Sequence, residues 1–276
     1  MRSLKRNKMK KCFTINAMRN HNDFIGFNEL LDKGLFKGIE IFYPYNVSSE
    51  QRALYERELK SLVDKHQDIE VVLHLPHGGA NNLINSDYSE NEEIIKRMKD
   101  AIRFGSIYGA KKYTLHLGSA YKEENASRGK LIDALIKVLK DLTKYAGQAL
   151  VMIENMPRDN ELGYSPKEIL DIITKVGSDN LTFIMDTGHA HVSCYEEEDY
   201  INTLGHVLTH MHFSDNNGLR DEHKPIGEGN IDFVKLFNNL KKINYSHLHC
   251  LEILFNDYHQ LIDYAKRIEE FDYLYR

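Results

Sequence analysis

The sequence predicts a single closed (β/α)8 barrel, also called a TIM barrel, with its active site at the C-terminal ends of the strands. Three observations predict this α/β fold: eight short apolar segments of strand type, amphipathic segments at helical spacing between them, and no linker, repeat or low-complexity segment. A length of 276 residues suits one large domain. We therefore expect one barrel domain over residues 12–276, preceded by a basic tail over residues 1–11.

The elements follow one another in regular alternation along the chain. Helical spacing of apolar residues predicts helices around residues 94–102, 131–142 and 258–271, and Ser165-Pro166 is typical of a helix start. The predicted strands are Cys12–Ala17, Gly38–Tyr43, Ile69–Leu75, Lys112–Leu117, Ala149–Glu154, Leu181–Asp186, Leu208–Phe213 and His247–Leu254.

Composition indicates a globular protein that is not exported. No apolar run approaches the roughly 18–20 residues of a membrane span, and the N-terminus lacks the apolar stretch of a secretory signal. The three cysteines are unclustered, as expected for reduced thiols. A net charge of −5 offers no dominant positive field for nucleic acid or a membrane surface. We therefore expect a cytoplasmic protein.

Six of the predicted strands share a second property, because each ends in or next to a side chain that can bind a metal ion. Carboxylates and imidazoles without thiolates suit Zn²⁺, Mn²⁺ or a similar divalent ion. Taken singly, each residue is more simply explained as a hydrogen-bonded or ion-paired structural residue. Together they predict a metal site of one to three ions. The strand-end residues are His74, His116, Glu154, Asp186, His212 and Glu252, and nearby loops add His189, Asp221 and His223.

Four motifs of the sequence resemble the xylose isomerase-like TIM barrels. The resemblance runs from about Cys12 to Phe271. That superfamily contains sugar and sugar-phosphate isomerases and epimerases, and also the AP endonuclease family 2 enzymes such as endonuclease IV. The motifs are Met152–Pro157, Asp186–Ala190, His212–Asn216 and Asp221–Gly229.

The isomerase branch of the superfamily implies a single divalent ion. The ion would be held by Glu154, Asp186, His212 and Glu252, with Glu154 and Glu252 doubling as the catalytic pair that moves a proton next to a carbonyl. We favour this function, with a small sugar or sugar phosphate as substrate and a homodimer as an expected assembly. The expected substrate-binding residues are His189, His77, Tyr43 and Arg158.

The endonuclease branch gives the alternative. All nine candidate ligands have matching positions there, which implies a trinuclear zinc centre that hydrolyses a phosphodiester, with DNA as partner. The sequence also departs from that branch: Ile184 and Gly188 stand where the endonucleases carry cysteines, Ser214 replaces an asparagine, and His77 replaces a tyrosine. It shows no basic, aromatic loop of the kind that enters a duplex. These departures favour the isomerase over the endonuclease.

Overall fold

The computed structural model describes residues 9–83, 91–118 and 127–275 and contains a closed barrel of parallel strands. Each strand pairs with its neighbours in chain order, and β8 closes the barrel by pairing with β1. The predicted (β/α)8 fold is therefore confirmed. The strands are β1 Lys10–Ile15, β2 Gly38–Phe42, β3 Glu70–His74, β4 Lys112–Leu115, β5 Leu150–Glu154, β6 Leu181–Asp186, β7 Leu208–Phe213 and β8 Leu248–Leu251.

Helices connect the strands and cover the outside of the barrel. The predicted helix start at Ser165-Pro166 is confirmed, since Pro166 opens a helix with Ser165 as its N-cap. The helices are α1 His21–Asp32, α2 Ser49–Lys65, α3 Glu92–Ile107, α4 Arg128–Ala146, α5 Pro166–Val176, α6 Thr187–Val192, α7 Glu197–Leu204, α8 Phe233–Lys242 and α9 His259–Glu269.

Strand alternation divides the core into two parts. Side chains that point outward from the strands pack under the helices in one large apolar cluster that includes Phe13, Ile39 and Phe213. Side chains that point inward form a second, smaller cluster: Cys12, Val72, Met152, Ile184, Leu248 and Cys250. Because this inner cluster closes the barrel axis, polar inward-pointing residues nearer the C-terminal ends are buried above it.

The observed element boundaries differ slightly from the predicted ones. β1 begins at Lys10 rather than Cys12, and Lys11 is buried and paired with Glu269. β4 and β8 end one residue before His116 and Glu252, so these two side chains extend from the first loop residue beyond each strand. None of the helices in the described ranges is long and apolar enough to cross a membrane.

Candidate metal centre

The C-terminal mouth of the barrel brings all nine predicted ligands together in three connected groups. Glu154, at the end of β5, lies at the middle of this arrangement and is completely buried. Its Oε2 faces His116 Nε2 at 2.9 Å and His74 Nε2 at 3.6 Å. The three ligand atoms lie within 4.8 Å of one another, which is close enough to share one ion. We call His74, His116 and Glu154 the first group.

The other oxygen of Glu154 belongs to a second group. Its Oε1 lies 3.2 Å from His212 Nδ1. The same nitrogen lies 2.9 Å from Glu252 Oε2 and 3.9 Å from Asp186 Oδ2. Ligand atoms of Glu154, Asp186, His212 and Glu252 again lie within 4.8 Å of one another. One carboxylate thus joins two candidate ion sites.

The third group is built around Asp221, in the loop after β7. Its Oδ2 lies 2.8 Å from His223 Nε2 and 3.4 Å from His189 Nε2. His189 also lies 3.5 Å from Glu154 Oε1 through its other ring nitrogen. This group is more open than the other two, with His223 29% exposed.

Hydrogen bonds fix which ring nitrogen faces the centre in four of the five histidines. His74, His189 and His223 each place Nδ1 2.9 Å from a backbone carbonyl, so Nδ1–H donates and Nε2 is left as the free ligand atom. In His212 the two nitrogens have exchanged roles. Its Nε2 lies 2.9 Å from Glu40, and its Nδ1 faces the centre. Supporting bonds of this kind orient the histidine ligands of metal sites.

The carboxylates support the same assignment through the oxygens that remain unsatisfied. Buried polar atoms normally have hydrogen-bond partners, because desolvation without one is costly. Asp186 Oδ2 and Asp221 Oδ1 are buried and have no hydrogen-bond partner among the described residues. Glu154 Oε2 is also buried and, although it lies 2.9 Å from His116 Nε2, the two atoms are not in hydrogen-bond geometry. Each of the three groups contributes at least one such oxygen. A cation in each group would satisfy these atoms, so the residues fit divalent ions.

The charges at this centre also shift the pKa values of its residues. Burial, with nearby carboxylates adding to it, raises the pKa of Asp186 to about 7. Burial alone lowers the pKa of a histidine, but the hydrogen bond to Asp221 raises the pKa of His223 to about 10. Burial alone raises the pKa of a carboxyl, yet the charge of His212 lowers the pKa of Glu252 to about 2. Such opposed shifts are typical of functional sites.

One asparagine side chain and one aspartate side chain hold the loops that carry the candidate ligands in place. Asn155 bonds both ways to the backbone of Asp186, accepting from N at 2.7 Å and donating to O at 3.0 Å. Asp215 accepts from Gly227, Gly229 and Ile231, which folds residues 215–231 back over the barrel mouth. The sequence motifs predicted the ligands but not these supports.

Close packing at Gly188 explains how the third group forms. A Cβ at position 188 would lie 2.4 Å from Ser214 Oγ and 3.0 Å from Asp221 Oδ1. The first turn of α6 therefore needs glycine there to approach the loop after β7. This approach brings His189 next to Asp221.

Glu40 is the residue that the sequence analysis missed as part of the site. It lies on the inward face of β2 and is fully buried beneath the ligands. Its Oε2 lies 2.9 Å from Nε2 of both His210 and His212, and its Oε1 accepts from Thr114 at 2.8 Å. The available signal was alternation, since Glu40 and Phe42 share the face of β2 that points into the barrel.

Two cavities flank the metal centre. One, of about 800 Å³, is lined by Arg19, Phe42, Glu252 and Phe255 among others. The second, of about 660 Å³, is lined by the residues Met156, Arg158, Arg220 and Asp221, together with ligands of the first and third groups.

The expected substrate-binding residues are only partly brought to these cavities. His77 lines both of them and lies next to the first group, with its ring centroid 4.5 Å from that of His116. Arg158 and His189 line the second cavity. Tyr43 lines neither, because it points outward from the barrel and packs edge-on against Phe104. Strand alternation puts Phe42 in the position that was expected for Tyr43.

Comparison with known proteins places this architecture in a family. The family model described as xylose isomerase-like TIM barrel matches residues 27–270. The chain belongs to this family. An uncharacterised protein of Methanocaldococcus jannaschii is 29% identical over 203 residues, which cover 70% of this chain and 67% of that protein. A protein named probable endonuclease 4 of Mycoplasma mobile is 26% identical over 205 residues, covering 69% and 70% of the two chains.

Solved structures show the same fold. A D-tagatose 3-epimerase-like protein superposes with a TM-score of 0.75 at 23% identity, covering 94% of this chain and 98% of that one. The proteins to which this chain is similar thus include one named as a probable endonuclease 4 and one of the same fold named as an epimerase-like protein. Both names are those of enzymes.

Proposed function

We propose that this protein is a metal-dependent phosphodiester hydrolase with three divalent ions, most simply Zn²⁺. The observation that carries this proposal is the position of Glu154, whose two oxygens face two different groups of ligands. A carboxylate that bridges two ions about 3.5–4 Å apart is the arrangement of two-metal hydrolytic sites. In a single-ion isomerase the ion would occupy the second group, and the other residues of the first and third groups would bind no ion.

Charge supports the same reaction class. Glu154, Asp186, Asp221 and Glu252 bring four negative charges to the centre. One divalent ion would leave the centre at −2, which repels a phosphodiester anion. Three divalent ions would bring it to +2, which attracts one. The ligand set therefore suits an anionic substrate only if several ions are bound.

The chain's own residues would then have distinct tasks in the reaction. When bound, the ions would polarise the phosphoryl group and lower the pKa of water. Glu154 would hold the two inner ions at a fixed spacing, while Asp221, His189 and His223 would hold the outer ion at the mouth. The two flanking cavities give room for the groups on either side of the scissile phosphate.

Direct assays test this proposal. Protein loaded with Zn²⁺ is incubated with bis(p-nitrophenyl) phosphate, and separately with duplex DNA containing one abasic site. We expect hydrolysis of the simple diester that is lost on chelation and restored by Zn²⁺. Incision of the duplex would identify the substrate as damaged DNA. No hydrolysis of any diester by protein that holds three ions would refute the proposal.

The isomerase or epimerase expected from the sequence is the second candidate, and one observation favours it. Glu154 and Glu252 both approach His212 Nδ1, at 3.2 and 2.9 Å, so two carboxylates flank one candidate ion. That pair could remove and return a proton next to a carbonyl. This reading predicts deuterium exchange into a ketose in D₂O with one ion bound. It also predicts that Glu154→Gln and Glu252→Gln abolish the exchange, whereas His74→Asn preserves it.

A further inference from the structure

Beneath the metal centre, three hydrogen bonds surround the buried carboxylate of Glu40. Thr114 Oγ1 donates to Oε1, and Nε2 of His210 and of His212 each lie 2.9 Å from Oε2. These contacts tie β2, β4 and β7 together inside the barrel. Both oxygens of Glu40 are therefore satisfied by the protein.

An ionised carboxylate can only accept hydrogen bonds, so both imidazoles must carry a proton on Nε2. For His212 this leaves Nδ1 facing Glu154 and Glu252, at 3.2 and 2.9 Å. We propose that Glu40 is a positioning residue that fixes the tautomer and ring orientation of His212, so that Nδ1 is offered to the ion of the second group. This inference rests on the proposed metal centre but not on which reaction the centre performs.

The negative charge of Glu40 matters as well as its geometry. A carboxylate that accepts from the far nitrogen of an imidazole makes the near nitrogen a better metal ligand. Loss of a residue that hydrogen-bonds to a metal-binding histidine in this way typically lowers metal affinity by about 10- to 100-fold. Glu40 touches only His212 among the nine ligands, so its effect should be confined to the second group.

A different reading is that this lower cluster itself holds an ion. Ligand atoms of Glu40, His210, His212 and Cys250 lie within 4.8 Å of one another. However, both Nε2 atoms already meet Glu40 Oε2 in hydrogen-bond geometry. An ion there would require His212 to lose its second proton and bridge two ions. The hydrogen-bonded arrangement avoids that cost, and we therefore favour positioning over a fourth ion.

Glu40→Gln gives the sharpest test. The glutamine oxygen can still accept from the two histidines, while its amide group faces Thr114, whose hydroxyl can turn to accept. The variant therefore keeps the shape of the network and removes its charge. With metal-loaded protein and a competing chromophoric chelator, we expect the affinity for one ion to fall about 10- to 100-fold, with the other two ions unchanged.

Two matched variants serve as controls. Thr114→Val removes the hydrogen bond to the other oxygen of Glu40 without touching His212, and we expect its ion affinities to stay near those of the original protein. Cys250→Ser tests the alternative reading. If a fourth ion is present and is lost from both Glu40→Gln and Cys250→Ser, the lower cluster is a metal site and the positioning role is wrong.

A measurement on the unmodified protein covers the case in which Glu40→Gln does not fold. Nitrogen-15 NMR of labelled histidines distinguishes a ring bound through Nδ1 with a proton on Nε2 from the opposite arrangement. We expect the first for His212 in the metal-loaded protein. Binding of its ion through Nε2, or unchanged ion affinities in a folded Glu40→Gln variant, would overturn the inference. If the original protein binds no ion at all, the metal centre itself is wrong.

Discussion

Two buried carboxylates of this barrel approach the same histidine from opposite sides and differ in how they are satisfied. Glu40 lies 2.9 Å from His212 Nε2, and Glu154 lies 3.2 Å from His212 Nδ1. Both oxygens of Glu40 have hydrogen-bond partners. Glu154 Oε2 is buried without one among the described residues, although His116 and His74 face it.

This difference supports assigning Glu40 to the protein's own hydrogen-bond network and Glu154 to the proposed metal ligands. Burying an ionised group is unfavourable unless it is paired and hydrogen-bonded. Glu40 meets that condition with protein atoms alone, so it acts as part of the scaffold. Glu154, Asp186 and Asp221 each keep an unsatisfied oxygen at the mouth, which is why we assign them as ligands in the proposed centre.

The largest expected effect comes from Glu154→Gln. The neutral amide can no longer bridge two ions, so we expect kcat/KM for diester hydrolysis to fall by at least about 10³-fold, with loss of ions from the first and second groups. Steady-state kinetics and elemental analysis measure both effects. Glu270→Gln, at the exposed end of α9, is the control and should behave like the original protein. If the Glu154→Gln variant keeps three ions, Glu154 is not a bridging ligand, and the contrast with the hydrogen-bonded Glu40 is wrong.

Chelation should destabilise the protein strongly. Ligands that bind only the folded state stabilise it, by about 4 kcal/mol at a thousandfold excess over Kd. For a chain of this size we therefore expect removal of the ions to lower Tm by about 10 °C, measured by calorimetry with and without chelator. An unchanged Tm would mean that the unsatisfied oxygens tolerate burial without a cation.

His223→Asn should have a smaller effect, because His223 belongs to the more exposed third group. We expect the ion content to fall from three to two and the rate of hydrolysis to fall by about 100-fold. His191→Asn, on the neighbouring helix α6, is a matched control, because His191 pairs with Asn230 and Glu197 rather than with the ligands. Equal losses in both variants would point to disturbance of the loop rather than loss of a ligand.

The smallest expected effect is the pH dependence of the stabilisation by bound metal. Its direction follows from two pKa shifts. Without metal, the raised pKa of His223, about 10, gives stability below pH 6.5 that is lost as pH rises toward 10. The raised pKa of Asp186, about 7, adds an unfavourable contribution that grows from pH 4 to above pH 7. Ion binding also requires deprotonated ligands. The difference in Tm between metal-loaded and metal-free protein should therefore widen from pH 6 to pH 9, and a narrowing would contradict this electrostatic account.

The sequence predicted six of the nine candidate ligands from their position, because each ends or directly follows an apolar run of strand type. In a parallel barrel all such ends meet at one mouth, so His74, Glu154 and Asp186 could be placed together without coordinates. The strand pattern also gave the fold and the strand boundaries to within a few residues.

Glu40 and Tyr43 show what the sequence analysis could not supply. Glu40 lies within a strand, two positions before its end, so alternation places it on the inward face but does not show which residues it contacts. Its role depends on contact with β7, which is distant in the chain. Tyr43 was expected in the substrate site because of its type, yet the alternation of β2 turns it outward.

The number of ions bound at the barrel mouth tests the central claim most directly. Metal-free protein titrated with Zn²⁺ and analysed by inductively coupled plasma mass spectrometry after desalting should retain three ions per chain, with X-ray absorption showing nitrogen and oxygen ligands and a metal–metal distance of about 3.5–4 Å. Retention of a single ion without a metal–metal signal would contradict the bridging role of Glu154 and favour the isomerase.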